Sequence, residues 1–188
     1  MKAIRFVSAA ILLAVAVTGN AQKKDINIEK SDVTWTGKKI GGSHTGHVDI
    51  KSGFLVLGKH VIEDGEVVIN MNSITNTDLK DPGTNAKLVG HLKSDDFFSV
   101  EKYPTAFFKI TDATTFKKGE AAVTGKITIK GKTEEISFNV KQSGHTYTAT
   151  VNIDRSKFDV RYGSKSFFDN LGDKAIDDIF TLEIRLVL

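Results

Sequence analysis

The chain has 188 residues, no cysteine, and 26 Lys plus Arg against 23 Asp plus Glu, a formal charge of +3. That length suits one domain with a substantial core, and the lack of cysteine excludes disulfides, thiol catalysis and cysteine-ligated zinc. Charges of both signs are interspersed, without the basic excess of a nucleic-acid binder, so no polyanion partner is expected.

The chain opens with Lys2 and Arg5, continues through an apolar stretch from Phe6 to Val17 broken by Ser8, and reaches the small residues Gly19, Asn20 and Ala21. This order is that of a secretory signal peptide over residues 1–21, with cleavage expected after Ala21. A spanning helix needs about 20 apolar residues, whereas this stretch is shorter and runs straight into Gln22, Lys23, Lys24 and Asp25. Loss of the leader removes two positive charges and no negative one, so the domain over 22–188 carries +1. The expected location is the periplasm or the secreted fraction, with no lipid anchor and at most transient membrane contact.

Period-two alternation dominates from residue 30 and marks half-buried strands. Strands are expected around 33–38, 47–57, 61–74 and 106–114. Further on, Ile127 and Ile129 alternate with Lys126, Thr128 and Lys130, and Ile136, Phe138 and Val140 with Ser137 and Asn139. Tyr147 to Ile153 and Phe180 to Leu188 read the same way. Turn signals fall at Gly41 and Gly42, Gly58, Asp64 and Gly65, Lys118 and Gly119, Gly131, and Ser143 with Gly144. Such short connections imply antiparallel neighbours and an all-β sheet that closes on itself.

Residues 82–98 break the pattern. Pro82 and Gly83 precede Thr84, read as an N-cap, and Leu88, Val89 and Leu92 form a narrow apolar stripe, so a short helix is expected to end near Ser94. Ser94 is then expected to cap a second turn holding Asp95, Asp96, Phe97 and Phe98. A shorter turn over 166–171 is expected to stop at Gly172.

No pattern of catalytic residues emerges. His44 and His47 are three apart, which on a strand sends them to opposite faces, and His60, His91 and His145 stand alone. The Gly41 to Gly46 stretch lacks the ending of a phosphate loop and precedes a strand, so it reads as a turn. Asp95 with Asp96, and Asp177 with Asp178, are adjacent pairs that read as surface or cap charges. No metal, cofactor or enzymatic activity is expected. What stands out is the supply of aromatics near the helical break: Phe97, Phe98, Tyr103, Phe107, Phe108, Phe167 and Phe168. They either plug a small barrel or surround a ligand, and periodicity alone leaves both open.

Several of these segments, in the same order and spacing, resemble the YceI-like family over nearly the whole chain after the leader. Val33, Trp35, Gly37 and Lys38, with His44 and Gly46, begin the resemblance. Leu92, Ser94, Asp95, Asp96, Phe97, Phe98, Tyr103, Pro104 and Phe108 resemble its acidic-aromatic turn and Tyr-Pro step. Val123 to Thr133 looks like its hairpin, and Arg155, Ser156 and Phe158 like its Arg-Ser-x-Phe element. Residues 158–172 depart from the pattern, and they would narrow the mouth or make an oligomer contact such as a homodimer.

The resemblance implies an eight-stranded, lipocalin-like antiparallel barrel with one or two short helices near its opening. It implies a hydrophobic tunnel for a polyisoprenoid, an isoprenoid quinone or another long apolar chain, in transport, storage or sequestration rather than turnover. Alternation then nominates Leu88, Leu92, Phe97 and Phe98 for a helix-side mouth, and Trp35, Phe108, Ile110, Ile127 and Val151 for deeper lining. Val123, Gly125, Ile127 and Ile129 share one inward face, with Gly125 expected to leave space. The alternatives are a packed barrel serving as a scaffold or interaction module, and an enzyme acting on a head group at the mouth.

Overall fold

The computed structural model describes residues 21–188, so apart from Ala21 the expected leader lies outside the described residues. The strands are β1 (Gln22–Asp25), β2 (Asp32–Lys39), β3 (Gly42–His47), β4 (Asp49–Leu57), β5 (Ile62–Asn70), β6 (Thr105–Ala113), β7 (Glu120–Ile129), β8 (Lys132–Ser143), β9 (Thr146–Asp154) and β10 (Ile176–Val187). All belong to one antiparallel sheet in the order β1-β4-β5-β6-β7-β8-β9-β10-β2-β3.

The all-β barrel class holds, with ten strands among the described residues rather than eight. One addition is the four-residue β1, laid along the C-terminal half of β4. The other is β3, which separates from β4 at Val48: Gly42–His47 pairs with β2, whereas Asp49–Leu57 pairs with β5. β3, at one end of the strand order, is therefore followed in the chain by β4, which stands next to the other end. Val48 N donates to Val33 O at 3.0 Å, Ile26 N to Gly53 O at 2.9 Å and Asn27 N to Val187 O at 2.7 Å, and these bonds curl the sheet round on itself.

β7 shows why the wall has two faces. Ala121, Val123, Gly125, Ile127 and Ile129 are buried, and the residues between them are polar or small and at least partly exposed. At the β7–β8 turn, Lys130 and Gly131 both have positive φ, 51° and 73°, the twist that a two-residue hairpin needs. Asp64 and Gly65, by contrast, do not turn the chain. Both lie inside β5 opposite Val56 and Leu55. A Cβ on Gly65 would stand 2.7 Å from Leu55 Cδ2 and 2.8 Å from Ile110 Cδ1, so this glycine permits close side-chain packing.

Among the described residues one α-helix interrupts the strands, α1 (Pro82–Lys93). Asp81, not Thr84, is its N-cap: the carboxylate accepts from Thr84 N at 2.8 Å and Thr84 Oγ1 at 2.7 Å, and Pro82 takes the first helical position. The helix ends at Ser94 as expected, but the Ser94 hydroxyl points back and donates to His91 O at 2.8 Å instead of capping the following turn. Near the other end of the chain, Gly172 opens a 3-10 turn, Gly172–Lys174, where the sequence suggested a stop.

A polar latch ties the segment before α1 to the barrel. Trp35 Nε1 donates to Thr75 O at 3.0 Å, and Thr77 N donates to Thr45 O at 3.0 Å. Segment 75–76 crosses so close to β3 that a Cβ on Gly46 would stand 1.9 Å from Thr75 O. Asp78 completes the latch, accepting from Thr45 N at 2.8 Å and hydrogen-bonding His44 Nδ1 at 2.8 Å. Burial pushes the Asp78 carboxyl up, but the Thr45 amide, His44 and Asn76 outweigh it and hold it at about 2.

A carboxyl held below its ordinary range stabilises the fold fully above its unfolded pKa and loses that contribution as pH falls through the folded value. Asp78→Asn should therefore cost about 1 kcal/mol at neutral pH. The gap in thermal stability from wild type should persist down to about pH 4 and close as pH falls through about 2. A gap that is absent at neutral pH, or unchanged at the acid end, would show that the carboxylate does not hold this latch.

Candidate functional site

The inward faces of the sheet do not meet along the barrel axis. Two chambers remain, about 110 Å³ on the side away from α1 and about 130 Å³ on the helix side. Val33, Ile69, Ala106, Ile127 and Leu182 line both, so the chambers adjoin end to end at a waist formed by these side chains. An apolar cavity of about 150 Å³ stays dry and takes up benzene. Each chamber is of that order.

The far chamber is walled by side chains such as Leu55, Ile62, Ile110, Phe138, Val140 and Tyr147. Tyr147 stands edge-on to Phe116 at 6.2 Å, and its hydroxyl accepts from Gln142 Nε2 at 3.0 Å, which leaves the ring as apolar wall. On the helix side, Leu92 and Phe97 are buried and Phe98 bridges Phe97 to Phe180, at centroid separations of 5.0 and 6.3 Å.

The charged residues of this wall are Asp177, which is exposed, and Arg155, which is 2% exposed. Its Nε donates to Asp177 O at 3.0 Å, Nη1 to Val160 O at 2.8 Å and Tyr162 O at 2.9 Å, and Nη2 to Ile176 O at 3.0 Å. Asp178 lies 3.4 Å from Nη2 as counter-ion. Burial pushes the Asp178 carboxyl up, yet Ser164, Ser166 and Arg155 together hold it below its ordinary value. The guanidinium thus clamps the loop after β9 to the start of β10 through four hydrogen bonds. Burial pushes the guanidinium itself down from its usual value.

Of the nominated residues, Trp35, Leu92, Phe97 and Phe98 line the helix-side chamber, Phe108, Ile110 and Val151 the far one, and Ile127 both. Trp35 therefore sits at the helix end, not deep in the barrel. Leu88 lines neither chamber; it packs half-buried against the core from outside. Among the aromatics, Tyr103, Phe167 and Phe168 are exposed and line neither chamber, and Phe107 is exposed although it touches the far one, so only part of that cluster encloses the interior. His44 and His47 are engaged separately, His47 Nδ1 standing 3.1 Å from Asp32. Among the described residues no three His, Cys, Asp or Glu gather as a metal site.

Ile69, Ala106, Leu182 and Arg155 were missed. The first three lay in the alternation, which assigns a face but not the height at which strands meet. Arg155 carried a signal, as a charged residue directly after an alternating strand.

Gly125 does not leave space. A Cβ there would stand 2.5 Å from both Lys109 O and Phe108 Cζ, because the Phe108 ring lies across the glycine. Gly125→Leu should therefore unfold the barrel more readily, by about 3 kcal/mol in denaturant titration, since the carbonyl cannot move aside. An unchanged midpoint would mean that Phe108 has room to move.

The family model of the YceI-like domain matches residues 25–188. A UPF0312 protein of Vibrio cholerae is 26% identical over 144 residues, 76% of this chain and 75% of its own length. One from Shewanella denitrificans is 26% identical over 137 residues, covering 72% and 69%. Burkholderia cenocepacia BcnA superposes with a TM-score of 0.61 at 24% identity, over 87% of this chain and 99% of its own. A polyisoprenoid binding domain from Saccharophagus degradans gives 0.59 at 13% identity, over 89% and 97%. At such identities the superpositions speak for the fold alone. With a hollow antiparallel barrel and a domain match spanning almost every described residue, the chain belongs to the YceI-like family.

Proposed function

We propose that this protein binds a long apolar molecule, of the polyisoprenoid or isoprenoid quinone class, along the two adjoining chambers, and carries, stores or sequesters it without chemical change. The observation that carries this reading is the apolar lining of two adjoining chambers that share Val33, Ile69, Ala106, Ile127 and Leu182. Each buried methylene contributes about 0.8 kcal/mol, so a slender chain gains affinity from length with no directional bond. Arg155 donates to four carbonyls, Trp35 and Tyr147 have their polar atoms partnered, and Asp177, which also lines the helix-side chamber, is exposed and meets Arg155 through its backbone carbonyl. That supports binding over catalysis. The Saccharophagus degradans domain of the same fold, a polyisoprenoid binding domain, favours the same ligand class.

Export belongs to the same proposal, since an exported carrier would meet envelope lipids. It rests on the order Lys2, Arg5, the apolar stretch and Ala21. The intact mass of the envelope form should begin at Gln22, and a chain retaining Lys2 would contradict it.

Gly37 supplies the test of the ligand. It shares the inward face of β2 with Val33 and Trp35, lines the helix-side chamber, and would carry a Cβ with nothing within 4 Å. Gly37→Leu should fill that space without overpacking, leaving the thermal midpoint within about 1 kcal/mol of wild type. Retention of geranylgeraniol through gel filtration should fall about ten-fold, the equivalent of about 1.4 kcal/mol. Equal retention by variant and wild type would place the ligand elsewhere, and no retention by either would favour a packed scaffold.

A further inference from the structure

The barrel wall has an interruption. β8 is laddered to β7 from Lys132 to Lys141, and β9 to β10 from Thr146 to Asp154, so both strands are regular on their outer flanks. Between them only four pairs form, Val140 with Ala149 through Ser143 with Thr146. Continuing that register would set Asn139, Phe138, Ser137 and Ile136 opposite Thr150, Val151, Asn152 and Ile153. None of these pairs is made. At about 3.3 Å per residue the unladdered interval is about 13 Å long. The 3-10 turn Arg155–Phe158 packs against β8 beyond it, so the interval is bounded at both ends.

The interval lies where the inside and outside come together. Phe138, Thr148, Ala149 and Ile184 line the far chamber and also an outer groove of about 660 Å³. Inside, the wall is apolar; outside, Thr34, Ser137, Asn139, Thr150 and Asn152 present hydroxyls and amides. A chain entering where strands are laddered must break hydrogen bonds, whereas at this interval there are none to break. The β5–β6 ladder also stops short, leaving residues 62–65 and 110–113 unpaired with each other, but there Leu55 and Ile110 close over Gly65 and Lys109 bridges Asp64 at 2.8 Å. An apolar tail threading here would leave its polar head in the wet groove, with no buried unpaired group.

We infer that the unladdered interval between β8 and β9 is a lateral portal, through which the apolar ligand enters and leaves the far chamber while its polar head stays in the outer groove. This rests on the binding reading above, which the test separates from it.

The chain has no cysteine and one tryptophan, and Trp35 lines the helix-side chamber, so both the staple and the reporter are unambiguous. Ser137→Cys with Asn152→Cys places two thiols at facing positions of the missing ladder. The staple is closed by oxidation or, if the gap exceeds disulfide reach, by a bis-maleimide. Stopped-flow Trp35 fluorescence then follows uptake of geranylgeraniol by delipidated protein. Closing the staple should slow association and dissociation alike, by about ten-fold or more, with the equilibrium constant little changed. Reduction should restore the disulfide form. Thr128→Cys with Thr133→Cys, across the laddered β7 and β8, should close without effect. An unchanged association rate in the closed Ser137/Asn152 variant overturns the portal and leaves binding intact. Wild-type protein that neither changes Trp35 emission nor co-elutes with geranylgeraniol overturns both.

Discussion

A sheet that closes around side chains of Val, Leu and Ile size leaves its own axis incompletely filled, and that geometric constraint governs the molecule. About eight strands give an interior on the border between self-filling and ligand-holding. Here the order from β4 through β10 to β2 surrounds the axis, and the interior falls on the holding side: Val33, Ile127 and Leu182 meet at the waist, with space above and below. Where glycine occurs on the inward face, its role depends on its neighbour. Gly125 is covered by Phe108, Gly65 makes room for Leu55 and Ile110, and Gly37 alone of these three faces open space.

A hollow barrel lacks the central packing that would otherwise fix its ends, and polar interactions at the helix end supply it. The Asp78 latch binds the segment before α1 to β3, with Gly46 allowing the close crossing. The Arg155 clamp holds the loop after β9 against β10 through four carbonyls. Buried charge is costly unless it is paired and hydrogen-bonded, and a hydrogen-bonded cluster makes a local geometry specific. Both clusters hold shape around a space without filling it. Residues such as His44 and Arg155 are accordingly accounted for by architecture.

Much of the fold was legible because strand alternation is a local property. The faces of β7, β9 and β10 follow from two-residue periodicity, and the helix near residue 82 from the loss of it. The extra strands were not legible, since the split of β3 from β4 depends on Val48 turning between two partners distant in sequence. Asp64 and Gly65 misled because a glycine needed for cross-strand packing has the same letters as one needed for a turn. The lining was readable as a face and not as a height. Leu88 fell outside and Ile69 and Leu182 fell inside for that reason. The incomplete β8–β9 ladder left no mark in the alternation, which continues through both strands.

The central claim is that the adjoining chambers are occupied by a long apolar chain in the protein's own setting. Native mass spectrometry of protein purified from its native source without organic solvent measures this directly. The account predicts a bound species that organic extraction releases as a long-chain isoprenoid, with the stripped protein taking up geranylgeraniol in its place. A chain that flies only as bare polypeptide, and that takes up no geranylgeraniol afterwards, would contradict it.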